Sequence, residues 1–300
     1  MKIKACLVTL ALALSAALTA GAQSFTLTYE NGEGEKMARL QKIDTIDHSI
    51  MECVYEHTVF DPNFSTNHKY IKNPQTATQI LSIGRNASLY RAYRSYVLDS
   101  IIKADYPAGI TRNEYDKHSY ALEKMYGGRP TKYTLKDLVN GKLTHREMIF
   151  MDPYIYEEDI PAIDWVATGE EADICGYRCK TATASFRGRE WTAWYTEDIP
   201  ISNGPEKFGN LPGLILKIED EKKEHVIQAI QIRKSNEGFG VKKKSSAFTT
   251  DRKNFNKMML EYKSDVGNFL SGNPNIPKNL DGTPTVKKTM RLFFNPIEKE

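Results

Sequence analysis

Six histidines are the residues most able to do chemistry in this chain: His48, His57, His68, His118, His145 and His225. A neutral imidazole can ligate a transition metal or move a proton near neutral pH. Metal binding needs the ligands close together, and these are scattered along the sequence. Cys53 and His57 share a strand face, but four extended residues separate them by about 13 Å, too far to share an ion. The sequence therefore assigns no metal and no cofactor. Cys179 is flanked by Arg178 and Lys180, which point to the opposite strand face, so its thiol lacks the electropositive setting of a nucleophile. No Gly-x-Ser-x-Gly, His-Glu-x-x-His or phosphate-loop spacing occurs. Glu157-Glu158-Asp159 and Glu170-Glu171-Asp173 read as solvated turn acids. No catalytic residue is assigned.

The elements that would position any site are mostly strands. Ile50–Phe60 alternates with Met51, Cys53, Tyr55, His57 and Val59 on one face. Short strands follow at Gln79–Ile83 and Ser88–Tyr96. Asn140-Gly141 joins two strand runs as a hairpin. Ile174–Ala184 and Glu190–Thr196 flank the turn Arg187-Gly188-Arg189. Leu211-Pro212-Gly213-Leu214 fits a type II turn, with Gly213 at the position that requires positive φ. The apolar run after it reads as a strand buried on both faces, and His225–Arg233 returns antiparallel. Thr249-Thr250-Asp251 offers an N-cap to one helix, carried by Phe255, Met259, Tyr262, Val266 and Phe269. The fold class expected is mainly β (α+β): a curved antiparallel sheet, half-barrel or sandwich, with one helix near 250–270.

Trp191, Trp194 and Tyr195 put large rings on both faces of one strand, beside Arg187 and Arg189. Core packing is one reading. The sharper one is a concave apolar groove for a lipid or peptide, with the loop carrying Phe208 at its mouth. Those six residues are the ligand-binding candidates.

The N-terminus fixes an expected compartment. Lys2 and Lys4 precede an apolar stretch, and Ala20-Gly21-Ala22 supplies small residues, so 1–22 reads as a signal peptide cleaved after Ala22. Residues 23–300 form a single β-rich domain, with 23–50 and 271–300 extended or partly ordered. Losing the two lysines takes the formal charge from +3 to +1, without the basic footprint of a nucleic-acid binder. Cys53, Cys175 and Cys179 remain, an odd number. Cys175 and Cys179 would stand too far apart to pair unless Gly176 opens a turn, and a Cys53–Cys179 bridge stays open.

Several stretches together resemble the GLPGLI family of exported Bacteroidota proteins. They are Gly176-Tyr177-Arg178-Cys179, Phe186-Arg187-Gly188-Arg189, Ala193-Trp194-Tyr195-Thr196, Ile199-Pro200, Gly204-Pro205 and Leu211-Pro212-Gly213-Leu214-Ile215, with the closing Asn295-Pro296-Ile297-Glu298. Tyr177, Cys179 and Leu211 to Ile215 are its structural motif residues. Asn210 departs from the family's glycine, which implies a local backbone adjustment. The resemblance implies a periplasmic or outer-membrane-associated protein of undefined biochemistry, from a family met beside TonB-dependent receptors. Asp44-Thr45-Ile46 and Asp99-Ser100-Ile101 resemble Bacteroidota O-glycosylation acceptors at Thr45 and Ser100. The leading expectation is a non-catalytic binding or assembly module for an apolar ligand, peptide or outer-membrane receptor. The alternative is an enzyme, metal-dependent or otherwise, whose site assembles only in the fold.

Overall fold

A computed structural model describes residues 25–28, 37–42, 45–64, 72–106, 109–128, 131–241, 247–271 and 291–299. The expected signal peptide at 1–22, the loop at Asn31–Gly34, His68 and residues 272–290 of the tail lie outside the described residues. The elements are β1 (Phe25–Thr28), β2 (Met37–Lys42), β3 (Asp47–His48), β4 (Met51–Val59), β5 (Gln75–Ile83), β6 (Ala87–Ala92), α1 (Tyr93–Asp105), β7 (Ile110–Thr111) and α2 (Arg112–Tyr126). Then come β8 (Tyr133–Asp137), β9 (Lys142–Ile149), β10 (Asp152–Asp159), β11 (Val166–Ile174), β12 (Tyr177–Phe186), β13 (Arg189–Thr196), β14 (Leu214–Asp220), β15 (His225–Lys234), β16 (Gly238–Phe239), β17 (Phe248–Thr249), α3 (Arg252–Ser264) and α4 (Val266–Ser271).

Twelve strands form one sheet in the order β11-β12-β13-β14-β15-β4-β5-β6-β8-β9-β10-β17. Every pair in it is antiparallel except β10–β17. The sheet stays open, yet it curls. Arg187, in the β12–β13 turn, forms an ion pair with Glu158 of β10 at 2.7 Å, although the two strands stand near opposite ends of the order.

Alternation decides what each face holds. Met51, Cys53 and Tyr55 of β4 join the inner core with Trp191, Phe208 and Leu214–Leu216. Val54 points outward and packs with Ile80 beneath Tyr96, Val97 and Ile102 of α1 and Leu122 and Tyr126 of α2. α3 places Phe255 and Met259 against Ile149 and Tyr156 of β9 and β10. In β14, Leu214, Ile215, Leu216 and Ile218 are all fully enclosed, as the unbroken apolar run predicts.

Several expectations change. The second half of Ser88–Tyr96 is helical, because Tyr93, Val97 and Ile101, with Leu98 and Ile102, repeat every four residues and pack against the outer sheet face. α2 starts from a capping box in which Thr111 and Glu114 satisfy each other's backbone N–H groups. Ile174–Ala184 is two strands, since Cys175 (φ 55) and Gly176 (φ 75) turn the chain between them. The Glu170–Asp173 acids lie on edge strand β11, and Glu157–Asp159 end β10. Residues 23–50 carry β1, β2 and β3.

The Pro-Gly turn also differs. Gly213 is not among the positive-φ glycines. Its N–H bonds the Leu211 carbonyl two residues back at 2.8 Å, a three-residue turn at Pro212. Gly213 is required for space, because a Cβ there would stand 2.1 Å from the Thr196 carbonyl oxygen. Asn210 is the residue in the left-handed region, at φ 67. Asparagine tolerates that region better than other side chains, so the departure from glycine costs little.

Candidate functional site

The concave face opens into a cavity of about 950 Å³, bounded by β4, β5, the end of α2, α3 and the C-terminal segment. Three of the scattered histidines meet here: His57, His145 and His225. Adjacent antiparallel strands β4 and β15 bring His57 Nε2 to 3.1 Å from His225 Nδ1. Burial holds His57 down at about 4. It pushes His225 well down too, helped by His57 and the Arg189 guanidinium. Both are therefore neutral at pH 7, and one donates to the other.

The cross-strand pair Thr134 and His145 extends this floor. Thr134 Oγ1 lies 3.1 Å from His145 Nδ1 and donates to Glu206 Oε2 at 3.2 Å. The His145 ring thus stands between Thr134 on its Nδ1 side and Glu147, 3.6 Å from Nε2. Lys132 Nζ closes the chain on Glu206 Oε1 at 2.8 Å. Burial opposes charge on Glu206, but Lys132 and His145 outweigh it and lower its pKa. Glu206 also stands at φ 50, a conformation that costs a non-glycine residue about 1 kcal/mol or more and persists only where the surroundings enforce it.

Lys136 enforces it. Its buried ammonium donates to Asn203 Oδ1 and the Gly204 and Phe208 carbonyls at 3.0, 3.0 and 2.6 Å, pinning both ends of the loop that carries Glu206. Burial brings Lys136 down to about 7, with Glu206 acting the other way. Phe255, Met259, Phe293 and Phe294 supply apolar walls. Among the described residues, no three His, Cys, Asp or Glu side chains group as a metal set.

The six candidates chosen from sequence occupy other places. Trp191 and Phe208 are enclosed in the core, their rings T-shaped at 4.8 Å. Tyr195 is buried beside them, so protein fills the inner face of β13. Trp194 lies on the outer face under Lys217, whose Nζ stands 4.1 Å from the ring centroid. Arg187 and Arg189 hold the C-terminal segment. Arg187 pairs with Glu158 and Glu298; Arg189 pairs with Asp220 and Glu224 and donates to Asn295 and Pro296. Tyr177 and Cys179 are core residues. The three described cysteines are buried and none is joined in a disulfide, and burial pushes the Cys53 and Cys179 thiols up to about 12. Thr45 is exposed, whereas the Ser100 hydroxyl donates to the Tyr96 carbonyl within α1.

Sequence reasoning missed His57, His145, His225, Lys132 and Glu206. The only local signal was His57 on the inward face of β4.

A model of a family described as "Protein of unknown function (Porph_ging)" matches residues 186–217. No curated protein matches the chain. Two solved structures, both described as PNGF-II, in P21 and C2 space groups, are similar over 71% of this chain at 15% identity, with TM-scores of 0.43 and 0.42. The chain spans 33% of the length of those proteins. The family match falls on the end of β12, the Arg187 turn, β13, the Glu206 loop and the first residues of β14.

Proposed function

We propose that this chain is an exported envelope protein of the GLPGLI type, a binding module that holds an amphipathic ligand, peptide or lipid-like, without transforming it. The observation that carries this reading is the cavity of about 950 Å³, in the size range of small-molecule sites. Its floor is polar and its walls are aromatic and aliphatic. The ligand's polar end would meet Lys132, Glu206 and His57, and its apolar body would lie on Phe255, Met259 and Phe294.

Native mass spectrometry of protein isolated from its own compartment tests this. A bound small molecule is expected, on a chain beginning at Gln23. Panels of peptides and lipids should raise Tm, and Phe255→Ala with Lys132→Ala should abolish the rise. An unliganded mass together with a flat Tm across both panels would end the reading. Pull-down from envelope extracts tests an outer-membrane receptor as the partner.

A second reading, an enzyme, is favoured by the continuous chain Lys132–Glu206–Thr134–His145, which could relay a proton. Turnover of a ligand recovered from the protein, lost in Glu206→Gln, would select it.

A further inference from the structure

Residues 291–299 make no strand, and polar groups of other elements grip them along their length. Arg291 bonds both oxygens of Asp61 at 2.6 and 2.9 Å, and the Phe294 N–H donates to Asp61 Oδ2 at 2.9 Å. Arg189 Nη2 donates to Asn295 Oδ1 at 2.5 Å and to the Pro296 carbonyl at 2.8 Å. Asn295 Nδ2 reaches the Phe60 carbonyl at 2.8 Å and Glu224 at 3.0 Å. Glu298 sits among Arg187, Lys207 at 2.5 Å and Arg252 at 3.3 Å.

The receiving surface is built without this segment. Arg189 keeps Asp220 and Glu224, Arg187 keeps Glu158, and Lys207 keeps Tyr156 and Glu158. Asp61 keeps its loop contacts with Asn63 and Asn73. Around Glu298, Arg187, Lys207 and Arg252 face the single carboxylate of Glu158, so the empty surface would hold surplus positive charge. A preorganised, extended groove that is cationic at its Glu298 end is the form of a peptide-recognition site.

We propose that this groove, centred on the Arg187-Gly188-Arg189 turn, is a docking site for an extended peptide of the pattern Asn-Pro-apolar-acid. The chain's own Asn295-Pro296-Ile297-Glu298 fills it in cis, and the same segment of a second copy can fill it in trans. Arg189 reads the asparagine and the carbonyl after it; the three cations read the acid. The 19 residues between Ser271 and Arg291 reach at most about 60 Å, enough to serve a neighbouring copy. This holds whatever occupies the cavity.

The test uses the full chain with a protease site inserted between residues 280 and 281, cut after folding, and a labelled peptide of residues 291–300. Saturable exchange of the labelled peptide into the groove is expected. Peptides carrying Glu298→Gln or Asn295→Ala should bind at least about tenfold more weakly, since each loses charge-assisted hydrogen bonds. Uncut copies bearing different tags, mixed at about millimolar concentration, should form mixed dimers that the free peptide dissociates. Equal binding of the Gln peptide, or no exchange in a cut chain that stays folded, overturns the proposal. Should cutting unfold the chain, hydrogen exchange on the uncut protein decides. Amides of 291–299 opening well ahead of β14 uphold a docked segment, and opening together with β14 refutes it.

Discussion

His57 titrates in the cavity with a strongly lowered pKa. Burial lowers its folded pKa to about 4, against about 6.5 in the unfolded chain. The unfolded state therefore takes up a proton first as pH falls. Stability is full above about pH 6.5 and drains away toward pH 4, by about 3 kcal/mol from this residue. Urea unfolding across that window should show the slope, and His57→Gln should reduce it, His225 and His145 keeping the remainder, while leaving stability at pH 8 within about 1 kcal/mol. A second prediction concerns Gly213. A methyl group there would stand 2.1 Å from the Thr196 carbonyl oxygen. Gly213→Ala should cost about 3 kcal/mol through overpacking against backbone, whereas Asn210→Gly, at φ 67, should be neutral or stabilising; thermal unfolding of the two variants separates these outcomes. The need for a glycine beside Pro212 was readable from sequence. Its reason was not, because the clash comes from β13, seventeen residues earlier in the chain.

At the scale of elements, the loop from Asn203 to Phe208 is the piece on which the site depends. Lys136 on β8 satisfies three of its oxygen atoms. Lys136→Met keeps the bulk and takes their donor from the buried Gly204 and Phe208 carbonyls, while Asn203 Oδ1 keeps the Gly204 N–H, at a cost of about 3 kcal/mol. Hydrogen exchange should quicken from Gly204 to Phe208 before β14 is affected, and ligand-induced Tm shifts should vanish with Glu206 misplaced. β14, the hairpin at Asn140-Gly141 and the α3 N-cap at Asp251 were legible locally: apolar run, turn residues and capping side chain all sit within a few positions of each other. α1 was not, because its start at Tyr93 looks like more strand until Val54 and Ile80 are seen waiting beneath it. α2 was not read from sequence either: its capping pair Thr111 and Glu114 and the closing Gly127 flank a helix that exposes Tyr120 and Met125 and buries only Leu122 and Tyr126, so no clean apolar stripe marks it.

For the whole molecule, the open sheet is held in its curl by charge. Glu158 on β10, Arg187 in the β12–β13 turn, Lys207 and Glu298 tie strands from opposite ends of the sheet order to the C-terminal segment. Burial alone would raise the Glu298 carboxyl, but Lys207 and Arg187 outweigh it and hold it at about 2. Its unfolded value is near 4.5. The stability this group adds is complete above about pH 4.5 and is lost as pH falls toward 2, about 3 kcal/mol in all. Acid titration followed by hydrogen exchange should free residues 291–299 first, with β10 and the Arg187 turn next and β4, β14 and β15 last. Glu298→Gln should show that order already at pH 7, and simultaneous release of all these elements would refute the account.

The sequence by itself determined the mainly β class, the buried strand at β14, the turns at Asn140-Gly141 and Arg187-Gly188, and the helix after Asp251. Each rests on periodicity or on a residue's own backbone preferences, which act over a few neighbours. Only the tertiary structure decided what those elements do together. It closed β13's aromatic inner face with Phe208 and gave Arg187 and Arg189 to the C-terminal segment. It also gathered His57, His145, His225 and Glu206, far apart in sequence, on one floor. Strand pairing sets such meetings, and the order in which strands pair is a property of the whole chain's packing that no local pattern encodes.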